Sequence, residues 1–172
     1  MKYVLFSLML LNSALNTKAQ DTLKMVSTAK LMLDAMFQED YETLIRYTYP
    51  KAIEIGGGKE QMLETVKTNM SKVKSAKMSF HSAKLLPHGK IYQAGKELHC
   101  ILPHTLVLKM EVGYISGMGQ LLCISADGGK NWTYVDVGDK SPEKIKKLFP
   151  DFNPDLKIPA QAQVVYHETA PE

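Results

Sequence analysis

Histidine and cysteine carry most of the chemistry open to this 172-residue chain, and their spacing limits it. His81, His88, His99, His104 and His167 form neither an HxH nor an HExxH pattern, and Cys100 and Cys123 make no CxxC pair. This pattern predicts no metal site and no bound cofactor. His99 and His104 flank Pro103, where a β-bulge could bring both to one side of a strand. His99 and Cys100 are neighbours and so face opposite sides of a strand, and a Cys/His nucleophile pair would need its histidine from elsewhere in the chain. No G-x-S-x-G elbow occurs. Arg46, the single arginine, cannot build the bidentate clamps typical of phosphate recognition.

The elements that must position these residues come in two blocks. Residues 21–37 place Leu23, Val26, Leu33, Met36 and Phe37 at helical spacing behind Asp21 as N-cap. A second short helix, 41–48, stops at Pro50. Residues 51–55 read as a short apolar strand closed by Gly56-Gly57-Gly58, and a third helix runs over 59–70. From Lys74 the period becomes two, with Ala76, Met78 and Phe80 alternating with Lys77, Ser79 and His81. Further strands are expected at 91–92, 97–102, 105–112, 120–126 and 132–137, separated by Gly-containing turns. Ser141-Pro142 starts a last short helix ending at Leu148. Pro150, Pro154 and Pro159 argue against regular structure beyond it, and 160–172 reads as a loose tail. The fold class is α+β: three N-terminal helices on one face of a curved antiparallel sheet of four to six strands.

Composition bounds the function. The chain is 45% hydrophobic and 23% charged, which suits one globular domain and excludes collagen-like, coiled-coil and disordered classes. Met1-Lys2, the apolar run 3–15 and Thr17-Lys18-Ala19 have the form of a signal peptide, 1–19, cleaved before Gln20. The run is shorter than the roughly 20 residues a membrane-spanning helix needs. The expected product is periplasmic or secreted, with a domain over 20–149, a Pro-rich extension over 150–172 and no transmembrane segment. Cleavage removes Lys2 and Lys18, so 19 basic residues face 18 acidic ones, which argues against a nucleic-acid partner. Between Glu64 and Glu97 there are seven lysines and no acid, read as a solvated face guarding strand edges.

The cysteines lie in a predicted hairpin. A turn near Gly113 pairs residues whose numbers sum to about 226, which puts Cys100 and Cys123 close but not opposed, unless a bulge at Pro103 shifts the register. Either a disulfide or two buried thiols fits.

Two resemblances add to this reading. Ser125-Ala126-Asp127-Gly128-Gly129-Lys130-Asn131-Trp132 resembles the Asp box, with Asn131 where Thr is usual. In such a hairpin Asp127 bonds backbone amides of its own turn, Gly129 takes positive φ and Trp132 packs across. One copy cannot build a propeller, so Ser125, Asp127, Gly129 and Trp132 are read as a structural staple.

The order helix, helix, short strand, glycine, helix, then antiparallel strands resembles the NTF2-like (cystatin-like cone) superfamily over about 21–138. With its LFPDFNPDLKIP ending, the chain is similar to small exported bacterial members. That resemblance implies a cone whose mouth takes a small apolar or amphipathic molecule, and Tyr47, Tyr49, Tyr92 and Trp132 are the candidate pocket residues. Ketosteroid isomerase, in the same superfamily, keeps an Asp base and an oxyanion hole in its cone. The matching carboxylate here is Glu54, with His81 as the other acid–base candidate. The family's Tyr donor on the first helix has no counterpart, since 21–40 contain no Tyr. The expectation is therefore an exported binding domain for a small molecule or partner, with no catalysis assigned. The alternatives are an isomerase or dehydratase-like enzyme, and an interaction module that forms a homodimer through its sheet.

Overall fold

The structure is a computed structural model that describes residues 22–138, 140–160 and 162–171. The signal peptide, its cleavage point and the Asp21 cap lie outside the described residues. Helix α1 covers 22–37. Its buried stripe is Met25, Ala29 and Leu33, one residue per turn, whereas Leu23 is exposed. Asp40 caps α2 (Tyr41–Tyr47) by accepting the Thr43 N–H. At Thr48 the chain forms a parallel bridge with Tyr134.

Residues 51–55 are helical, not a strand. They belong to α3 (Pro50–Ile55), where Pro50 at the first position supplies a helical φ and loses no needed donor. Helix α4 (Lys59–Ser75) extends a full turn past its expected end and buries no residue. It packs on α2 and α3, with exposed Lys59–Glu42 and Lys74–Glu39 ion pairs at its two ends, whose attraction water largely screens.

Among the described residues the sheet has six strands: β1 (Ser79–Leu85), β2 (Tyr92–Ala94), β3 (Glu97–Lys109), β4 (Tyr114–Ser125), β5 (Thr133–Asp136) and β6 (Val165–His167). All strand pairs are antiparallel. The long β3–β4 hairpin is central. β1 and β2 flank successive parts of β3, and β5 and β6 flank successive parts of β4.

β3 runs unbroken through Pro103. The Pro103 carbonyl accepts from Leu86 N–H on the β1 side. The missing N–H of proline therefore faces that side, just past the last β1 pair, Leu85 with His104. The β3–β4 register shows no shift at Pro103, so no bulge brings His99 and His104 together, and alternation puts them on opposite faces. The hairpin turn lies over Met110–Gly113, with Gly113 at its end at φ 72° and not at its centre. That displacement makes Cys100 and Cys123 direct cross-strand partners, correcting the expected offset.

Helices do not share one face. Cys100, Leu102, Leu121, Cys123 and Tyr134 pack under α1 with Met25 and Ala29. The alternate residues Ile101, Leu122, Ile124 and Val135 pack against Ile145 and Leu148 of α5 (Pro142–Leu148), together with Phe149 and Leu156. The central strands are apolar at both alternations, so both faces must be covered. The segment after α5 is thus part of the core, and 160–172 is not wholly loose. Between Pro159 and Pro171 no proline blocks pairing, and β6 joins β4 through Ser116 with Val165 and Tyr114 with His167. Among the described residues no helix is long and apolar enough to cross a membrane.

Candidate functional site

The Thr48–Tyr134 bridge holds the α2–α3 joint beside β5, and α5 packs against the same strand through Leu148. A cleft of about 470 Å³ opens between them, lined by Met32, Ala52, Ile55, Met62, Val135 and Leu148. A Cβ at Gly56 would lie 2.6 Å from the Met62 methyl carbon, the end of a flexible side chain that can move aside. Among the described residues, Asp136, Lys140, Lys144 and Lys147 form the charged part of the lining. The cleft is an apolar enclosure with a cationic rim, and its volume falls in the ~300–1,000 Å³ range of small-molecule sites.

A second recess, of about 530 Å³, lies where β3 meets the chain after α5. Tyr49 donates its hydroxyl to Glu97 Oε1 at 2.9 Å, and Glu97 Oε2 is 3.1 Å from His99 Nε2. Glu97 and His99 share a strand face because they are two apart. His99 is 1% exposed and its ring lies edge-on to Phe149, which in turn stacks on Tyr49. Burial lowers the His99 pKa, opposed by the Glu97 carboxylate, so the ring is neutral with Nε2–H donating to Glu97. Its Nδ1 then carries a lone pair with no partner among the described residues. Burial also raises the Tyr49 pKa, reinforced by its bond to Glu97. A carboxylate-oriented neutral imidazole is the arrangement of a general base.

The structure scatters the residues singled out from sequence. Tyr47 and Trp132 pack on the α1 face, whereas Tyr49 and Tyr92 pack on the opposite face, so these four do not line one pocket. Tyr92 lies beneath the Lys90 ammonium. Glu54 is exposed on α3 and lines a shallow recess with Tyr49, Glu97, Asp127 and Asn131. His81 is exposed at the β1 bulge, where the register shifts between Phe80 and Ser82, and its ring meets Tyr114 edge-on.

At the hairpin 125–132, Gly129 N–H donates to Ser125 Oγ and Asn131 N–H to Asp127 Oδ1, both at 2.9 Å. Trp132 Nε1–H closes the turn on the Gly129 carbonyl at 2.8 Å, and Gly129 has φ 96°. Cys100 and Cys123 are free thiols, both fully buried. Burial raises the Cys100 pKa to about 11 and pushes Cys123 well above the usual thiol range. Among the described residues no group of three or more His, Cys, Asp or Glu could hold a metal ion.

Sequence reasoning singled out Tyr49 and His99 of the recess without joining them through Glu97, and it did not find the cleft. Glu97-x-His99 was the available signal for the recess, and Lys144-x-x-Lys147 on one helix face the signal for the rim of the cleft. Comparison with known proteins finds no matching family model, no matching curated protein and no matching solved structure.

Proposed function

We propose that the protein is an exported NTF2-like binding domain that takes a small apolar or amphipathic molecule in the cleft between α3, α4, β5 and α5. The observation that carries this reading is the cleft itself: about 470 Å³ lined mainly by aliphatic and methionine side chains, with lysines at its edge. Methionine is flexible and polarizable, which suits Met32 and Met62 to a ligand of variable shape. The first measurement is native mass spectrometry of the protein purified from its own host. A reproducible added mass of a few hundred daltons supports the reading. Displacement of the dye anilinonaphthalenesulfonate provides the second readout. Ile55 is 51% exposed, so Ile55→Glu leaves the core intact while placing a charge in the apolar mouth. This variant is expected to lose dye binding. Equal dye binding by the variant and the parent would overturn the assignment to this cleft.

A second reading, an acid–base enzyme of the isomerase or dehydratase type, draws on one observation. His99 is oriented by Glu97 and carries an unpartnered Nδ1, but the ring is buried, so proton transfer there requires the recess to open. Incubation in deuterated water with candidate ketones, followed by mass spectrometry, tests it. Exchange abolished by His99→Gln supports it, and exchange unchanged in that variant excludes His99 as the base.

A further inference from the structure

The polar groups around the cleft are unevenly matched in charge. Among the described residues, Lys140, Lys144 and Lys147 line it against one carboxylate, Asp136. Asp136 forms no ion pair among the described residues: its Oδ1 accepts from Gly138 N–H at 3.0 Å, and the Lys140 ammonium donates to its main-chain carbonyl and not to the carboxylate. Lys144 and Lys147 lie three apart on α5, hence on one helix face, and both are exposed. Neither makes an ion pair among the described residues.

The natural intrahelical partner of Lys147 is Glu143, four residues earlier. Its carboxylate is instead held at the helix start by its own N–H and the Ser141 hydroxyl. Two ammonium groups are thus left beside an apolar cavity without an ion-pair partner among the described residues. An apolar tail and an anionic head satisfy both features at once.

We infer that the cleft is selective for a straight-chain aliphatic carboxylate, whose tail lies against Ile55, Met62 and Val135 and whose head group sits at Lys144 and Lys147. This inference rests on the binding reading above and specifies its ligand class. Because the lysines are exposed, the head group remains partly hydrated and its contribution depends on salt. The tail supplies most of the affinity, at about three- to fourfold per buried methylene.

Calorimetric titration of the protein with dodecanoate, dodecanol and dodecylammonium, each below its micelle concentration, tests the inference. Dodecanoate is expected to bind roughly tenfold more tightly than dodecanol, with dodecylammonium weakest. The preference should shrink as salt is raised. Lys144→Gln with Lys147→Gln is expected to bring dodecanoate down to the affinity of dodecanol and leave dodecanol unchanged. Lys146→Gln, whose lysine lines a different groove, is expected to change neither. Equal binding of acid and alcohol by the parent protein would overturn the carboxylate preference while leaving the binding reading intact. So would a preference that survives in the double variant, since the head group would then lie elsewhere. Failure of all three compounds to bind would overturn the binding reading itself, and the preference with it.

Discussion

The Tyr134 hydroxyl on β5 donates to the main-chain carbonyl of Met25 in α1 at 2.6 Å and also meets the Thr28 hydroxyl. Tyr134 and Met25 are fully buried, so this contact ties the first described helix to the strand that forms one wall of the cleft. Burial raises the Tyr134 pKa, and the phenol remains a donor over the working pH range.

Tyr134→Phe retains the ring and removes only the hydroxyl. It is expected to destabilise the fold by about 1–2 kcal/mol, or roughly 2–8 °C in Tm. Urea unfolding of parent and variant measures this. Unchanged stability would show that α1 is held by packing alone.

The two buried histidines predict an acid-side loss of stability. Burial lowers the pKa of His99, against the Glu97 carboxylate, and of His104, against Asp136. The unfolded chain takes up these protons near the ordinary histidine value of 6.5, whereas the folded chain does so only at lower pH. Stability from these residues is therefore full above about pH 7 and falls as pH drops below the unfolded value. The slope approaches about 1.4 kcal/mol per pH unit for each histidine held neutral. Unfolding free energies between pH 8 and 5 should show the decline, and His99→Gln and His104→Gln should each remove part of it. A flat profile in the parent would contradict the assigned neutral rings.

Asp127 acts in the opposite sense. The Asn131 backbone N–H, with further bonds from the Asn131 side chain and Ser125, brings its pKa down to about 2 from an ordinary 3.8. Its stabilisation is present above pH 4 and is lost as pH falls toward 2. Asp127→Ala should cost about 1–2 kcal/mol at neutral pH and should lack that part of the acid loss. The single tryptophan, Trp132, sits in the same hairpin, and its fluorescence reports the change. A variant as stable as the parent at pH 7 would show that the Ser125, Gly129 and Trp132 bonds suffice.

The thiols of Cys100 and Cys123 are expected to resist alkylation in the folded protein, because burial keeps them protonated and out of reach. Iodoacetamide in the absence of reductant should label both only after unfolding. Two unlabelled cysteines in the unfolded chain would reveal a disulfide between these direct cross-strand partners. Rapid labelling of the folded protein would show that the α1 face opens.

Much of the local structure was legible because it depends on near neighbours in sequence. Ser141-Pro142 ahead of α5 and Asp127 four before Asn131 are a cap and a turn whose partners lie within about one turn of chain. The α+β class followed from the change of period after α4. The short segment 51–55 was not legible, since five apolar-rich residues fit a strand or a helical turn equally well, and contact with β5 and α4 selects between them.

Register and facing required the tertiary structure. Placing the turn over Met110–Gly113 shifted every β3–β4 pair, and only that shift set Cys100 opposite Cys123. The recess joins Tyr49 from the α2–α3 joint, Glu97 and His99 from β3, and Phe149 from after α5. The cleft joins α3, α4, β5 and α5. Sequence by itself determined which residues could cap, alternate and turn, because those preferences are local. Which side chains meet at a site was decided by packing between distant segments, where burial on both sheet faces selects one arrangement among many that local preference allows.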